Sequence, residues 1–184
     1  MIYVIENKIS EDECKFLIKF YKYASWLRQE AKVTNQDGDK NIFSDIRKSE
    51  YIRFFSSYFP NEVGYIYKMI YQECQNFFNY NLLPVEQMHE DIKIIKYRKG
   101  DFFDWHYDCF NSMTKTRKIN FTIQLSDESE YEGGDLEFFK LDITRNKKRG
   151  TLILYPAYLA HRITMITKGK RYAMVGHLNG PEFR

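Results

Sequence analysis

Apolar residues recur at helical spacing over the first part of the chain and at strand spacing over the rest. Ser10-Glu11-Asp12-Glu13 has the form of a capping box, a hydroxyl followed three residues on by a glutamate. Cys14, Leu17, Ile18 and Tyr21 then keep helical spacing and predict a helix to about Arg28. Residues 33–45 are polar and read as a mobile loop. A second helix is expected from Pro60-Asn61, with Val63, Ile66, Tyr67, Ile70, Cys74, Phe77 and Phe78 forming one core-facing stripe. After Pro84 the period changes. Strands are expected at residues 92–97, 102–109, 120–125, 136–139, 151–155 and 171–178, with a turn at Gly100-Asp101 and a loop from Asp127 to Gly134. Short strands separated by turn signals indicate a sandwich or barrel. The expected class is α+β, a single domain over 1–184, with 1–84 as mainly helical support and 85–184 as the β core.

Composition narrows the setting. The chain has 184 residues, 43% of them hydrophobic and 17% aromatic, enough to fill a core. No apolar run approaches the roughly 20 residues that span a bilayer, so no membrane partner is expected. The start lacks a basic leader followed by a long apolar stretch. Cys14, Cys74 and Cys109 cannot all pair within one chain and form no CxxC. The expected setting is therefore cytoplasmic or otherwise intracellular, and reducing. Cys109 is read as a passive thiol. The net charge of +3 is uneven, −3 over residues 1–92 and +6 over residues 93–184. A basic half suits an anionic ligand. The densest run, Arg145 to Arg149, is read as a solvated hairpin end.

The chemistry is concentrated in His106-Tyr107-Asp108, His161 and Arg171. On a strand, residues i and i+2 share a face, so His106 and Asp108 project together. Two imidazoles and one carboxylate with open positions form the ligand set of non-haem Fe(II) oxygenases. A closed structural zinc site wants a fourth protein ligand, and strand alternation turns Cys109 away. Arg171, with its planar guanidinium, suits a bidentate grip on a carboxylate.

With these residues in this order, the sequence resembles the Fe(II)/2-oxoglutarate-dependent dioxygenases of the prolyl 4-hydroxylase-like branch. The matching stretches are Tyr97 to Asp108, Arg117 to Ser126, Tyr131 to Leu136, Gly150 to Pro156, His161 and Lys168 to Tyr172, with Ile46-Arg47-Lys48-Ser49 as a short upstream match. The resemblance implies a double-stranded β-helix, or jelly roll, buttressed by N-terminal helices. It implies iron held by His106, Asp108 and His161, and Arg171 binding the distal carboxylate of 2-oxoglutarate. Tyr97 matches a tyrosine lining the cosubstrate pocket. Gln124 falls where many relatives carry a tyrosine contacting the same carboxylate. Gly133-Gly134 supplies a turn before Leu136, a further pocket-lining candidate. His177 stands where many relatives have a bulky aromatic, and a packed histidine is the favoured reading. The implied reaction is hydroxylation with O2, releasing succinate and CO2, with ascorbate as an optional addition. Asp108 favours hydroxylation over halogenation, because halogenating relatives carry a small residue there. Peptidyl proline is the branch's best-known target, so a protein side chain or small molecule is the expected substrate; for nucleic acid the sequence offers only its basic half. Two alternatives stand beside this reading: a non-catalytic jelly-roll binding module, and a cupin-type metalloenzyme that does not use 2-oxoglutarate.

Overall fold

A computed structural model describes residues 1–31, 33–34, 40–41, 45–55, 63–87, 91–110, 114–141 and 146–182. The capping box forms as expected. The Glu13 backbone N–H donates to Ser10 Oγ at 3.2 Å, and the Ser10 N–H donates to the Glu13 carboxylate at 2.7 Å. From this cap, strand β1 (Tyr3–Ile5) leads into helix α1 (Glu11–Tyr23). α1 stops before the expected Arg28. The Ala24 N–H closes its last turn on Phe20 O, and a short 3₁₀ turn delivers residues 28–30 to a sheet edge. There β2 (Arg28–Glu30) exchanges helical bonds for ladder bonds. β3 (Val33–Thr34) and β4 (Lys40–Asn41) pair with each other, and the rest of the expected 33–45 loop lies mostly outside the described residues. β5 (Arg47–Lys48) and β6 (Glu50–Phe54) follow, then helix α2 (Tyr65–Phe77). The expected start of α2 at Pro60-Asn61 also lies outside the described residues.

The remaining strands are β7 (Ile92–Arg98), β8 (Phe102–His106), β9 (Arg117–Gln124), β10 (Tyr131–Glu132), β11 (Leu136–Phe138), β12 (Leu152–Pro156), β13 (His161–Ile163) and β14 (Lys168–Asn179). The larger sheet runs β1-β12-β9-β14-β7-β6-β2, with β10 added to β14, and the smaller runs β11-β13-β8-β5. All pairings are antiparallel and neither sheet closes on itself. The periodicity predicts only helix and loop before residue 84. The structure instead takes β1, β2 and β6 into the larger sheet and β5 into the smaller.

Period-two alternation divides the larger sheet cleanly. Ile94, Ile119, Phe121, Ile123, Leu154 and Met174 face the helices and share one cluster with Cys14, Leu17, Ile66 and Ile70. On the opposite face, Ile95 and Tyr97 pack against Ile163 of the smaller sheet, with Leu136, Phe103 and Val175 against them. Glu50 ties α1 to this frame: it accepts from the Tyr21 hydroxyl and pairs with Lys96 at 3.3 Å and Arg98 at 3.0 Å. The site thus sits between two sheets, one of them clamped from behind by helices. Ser10→Ala removes the α1 cap and should lower stability by about 1 kcal/mol, read as a lower urea midpoint at unchanged slope. An unchanged midpoint would show that the cap contributes nothing.

Candidate active site

β8 ends on His106 and β13 begins on His161, and the register sets the two residues opposite each other. Their ring centroids are 4.1 Å apart. The expected strand 102–109 ends early, at His106, so alternation alone does not place Asp108. Asp108 lies just past the strand, tethered by its N–H to Ala157 O at 3.2 Å. One ligand atom from each of His106, Asp108 and His161 falls within 4.8 Å of the others. His106 Nδ1 donates to Asp104 O at 2.7 Å and His161 Nδ1 to Leu159 O at 2.9 Å. Each bond fixes the tautomer and leaves the Nε2 lone pair for a metal. His161 Nε2 is 3.3 Å from Asp108 Oδ2. Burial, then the neighbouring His161, pushes His106 down to about 3. Burial alone would raise Asp108, but its neighbours His161, His177 and His106 hold its carboxyl well below the usual range. At neutral pH the cluster is an uncharged imidazole beside an ionised carboxylate, the protonation states that ligation needs.

The cluster lies on the wall of a cavity of about 820 Å³. Arg171, on β14 opposite Tyr97 of β7, also lines that cavity and is only 1% exposed. Its Nη2 donates to Gln124 Oε1 at 3.0 Å, and its guanidinium lies 5.6 Å from the Tyr97 ring. Its Nε is buried without a hydrogen-bond partner among the described residues. A buried cation with a spare donor on a cavity wall calls for an anion. A 2-oxoglutarate carboxylate fits this donor set. Leu136, opposite Ile163, lines the same cavity. Gln124 is placed to hold Arg171 and is not part of the cavity lining.

Residues 92–179 match the model of the 2OG-Fe(II) oxygenase superfamily. This part of the chain resembles the members of that superfamily. Its members work with Fe(II), 2-oxoglutarate and O2. A PKHD-type hydroxylase of Idiomarina loihiensis is 32% identical over 87 residues, covering 46% of this chain and 40% of that protein. The chain thus spans about two fifths of the length of the curated relatives it matches. A viral collagen prolyl hydroxylase from Paramecium bursaria Chlorella virus-1, solved with 2-oxoglutarate, superposes with a TM-score of 0.68 at 19% identity, covering 98% of this chain and 96% of that one. A Trichoplax adhaerens prolyl hydroxylase, solved with a peptide fragment of hypoxia inducible factor, gives 0.74 at 12% identity, covering 97% and 83%. These likenesses carry the fold: a jelly roll with flanking helices.

The cavity also holds residues that the sequence pattern does not single out. Asn120, in the middle of β9, donates from Nδ2 to Asp108 Oδ2 at 2.7 Å, and its Oδ1 lies 2.8 Å from His177 Nδ1. His177 is therefore a hydrogen-bonded member of the site and more than a packed side chain. Its signal in sequence is the alternation Asn120, Thr122, Gln124, a polar stripe within a buried strand. Arg47 stacks over Phe103 at 4.4 Å, and Phe103 lies flat on His106 at 3.4 Å. Cys109 is buried, and burial followed by the Asp108 charge raises its thiol.

Gly133 and Gly134 both have positive φ, +76° and +65°. A Cβ on Gly134 would meet the Ile166 methyl at 2.4 Å and Arg171 Cδ at 3.0 Å, both side-chain atoms of buried residues. A Cβ on Gly133 would meet Met165 O at 2.0 Å, which is backbone. Alanine at either position should cost at least about 1–2 kcal/mol for the left-handed conformation. Gly133→Ala should cost more, because its clash cannot relax by rotamer change. Urea midpoints that rank the two in reverse order would contradict this account of the turn.

Proposed function

We propose that this chain hydroxylates a substrate with Fe(II), O2 and 2-oxoglutarate, releasing succinate and CO2. The observation that carries the reading is that the His106, Asp108 and His161 cluster lines one cavity together with the buried guanidinium of Arg171, whose Nε has no partner among the described residues. A protein side chain is the favoured substrate. Its support is the peptide bound to the Trichoplax prolyl hydroxylase and the collagen named for the viral one.

Bound iron and 2-oxoglutarate would together activate O2, the oxidant that breaks a substrate C–H bond. The protein's residues bind, orient and exclude water. His106 and His161 present Nε2, and Asp108 adds the negative charge that offsets a divalent cation. Three protein ligands leave further coordination positions for the cosubstrate and O2. Arg171, whose Nε has no partner among the described residues, would hold the distal carboxylate of 2-oxoglutarate. Gln124 pins Nη2 so that the guanidinium plane cannot rotate, and the Tyr97 ring packs alongside. Leu136 and Ile163 keep this end of the cavity apolar, which strengthens the ion pair. We further read 1–184 as one oxygenase domain, since α1, α2 and the larger sheet share one hydrophobic cluster.

With Fe(II) and 2-oxoglutarate in air, the protein should form succinate, and a peptide panel containing the substrate should stimulate it. Asp108→Ala should abolish turnover. Arg171→Ala should raise the 2-oxoglutarate concentration needed for half-maximal rate by about 10–100-fold, the loss of a charge-assisted hydrogen-bonded contact of about 1.5–3 kcal/mol. Metal uptake without succinate from any substrate would favour a binding module. Turnover indifferent to Arg171→Ala would favour a metalloenzyme that does not use 2-oxoglutarate.

A further inference from the structure

The polar chain that runs from Asp108 into the larger sheet is outside the ligand set and extends across three elements. Asn120 is 1% exposed and sits at the centre of β9, opposite Tyr155 of β12 on one side and His177 of β14 on the other. Asp108 is ionised and can only accept, so the side of the Asn120 amide facing it must be the NH2. That orientation turns Oδ1 to His177, whose Nδ1 must then carry the hydrogen. The His177 backbone is in turn fixed by α2: the Tyr67 hydroxyl donates to His177 O at 2.8 Å. Tyr67 itself is only 2% exposed.

We infer that Asn120, held in one amide orientation by His177, is a positioning residue that sets the rotation of the Asp108 carboxylate for metal binding. The inference rests on the metal-site reading above. Asp108 lies beyond the end of β8, so no ladder bond on its own strand orients it. Its carboxylate has two nearby partners, the Asn120 amide at 2.7 Å and His161 Nε2 at 3.3 Å. Metal binding takes the Nε2 lone pair of His161, and the amide remains to hold the carboxylate. An amide flipped by half a turn would set Oδ1 against the carboxylate, two acceptors in contact. His177 prevents the flip by making the wrong orientation cost two hydrogen bonds at once. Neither Asn120 nor His177 needs to touch the substrate for this role.

The test uses Co(II) as the probe, with affinity measured by competition with a chelator and geometry by the visible absorption envelope, alongside urea unfolding. Asn120→Leu should weaken Co(II) binding by about 10–100-fold, the usual effect of losing an outer partner of a ligand, and alter the envelope. His177→Leu should weaken it by a smaller factor, and His177→Gln, which restores an N–H toward Oδ1, should recover it. The double variant Asn120→Leu/His177→Leu separates positioning from packing. Replacing both buried partners by apolar groups can be nearly neutral for stability, so the unfolding midpoint should recover while the Co(II) defect remains. Recovery of Co(II) affinity together with stability would overturn the inference, as would a folded Asn120→Leu that binds Co(II) like the parent. If the parent protein takes up no Co(II), or binds it unaffected by His106→Ala, the metal-site reading fails and this inference falls with it.

Discussion

The antiparallel pairing of Phe102–His106 with His161–Ile163 sets His106 and His161 side by side, although 54 positions separate them in sequence. Strand pairing has period two, so a one-residue slip would turn one imidazole to the opposite face and dissolve the cluster. The register is held on both sides. β11 pairs Phe138 with His161 and Leu136 with Ile163, and β5 pairs Arg47 with Phe103. Phe103 lies flat on His106, and Arg47 covers Phe103. The smaller sheet is therefore organised around keeping two histidines in one place.

The larger sheet does the complementary work. It is packed against helices on one face, which frees the other face to carry polar groups that a core would not tolerate. Arg171, Gln124 and Asn120 all occupy that face, each buried and each with a specific partner. A buried guanidinium is costly unless paired, and the Nε of this one has no hydrogen-bond partner among the described residues. The apolar walls around it reduce competition from water.

The sequence spoke clearly where chemistry and local pattern coincide. The His106, Asp108, His161 and Arg171 set, the Ser10 cap and most of the core stripe of α2 reappear in the structure; Phe77, expected in that stripe, is exposed instead, on the last turn of the helix. The strands of the first third were not legible for a physical reason. Residues 28–30 are all exposed at a sheet edge, and β5 is two residues long, so neither shows alternation. The end of β8 at His106 was also hidden, because Trp105 to Cys109 continues to read as strand. The link from Asp108 through Asn120 to His177 depends on the register of β9 with β14 over a 57-residue separation. Only the polar alternation of Asn120, Thr122 and Gln124 hinted that β9 faces a cavity.

The central claim is that one cavity holds Fe(II) and 2-oxoglutarate together, through His106, Asp108 and His161 on one side and Arg171 on the other. An oxygen-free titration followed by visible absorption tests it most directly. The account predicts a charge-transfer band that requires both Fe(II) and 2-oxoglutarate, is lost in His161→Ala, and needs more 2-oxoglutarate to appear in Arg171→Lys. A mixture that stays colourless at saturating concentrations of both, or a band that survives His161→Ala, would contradict it.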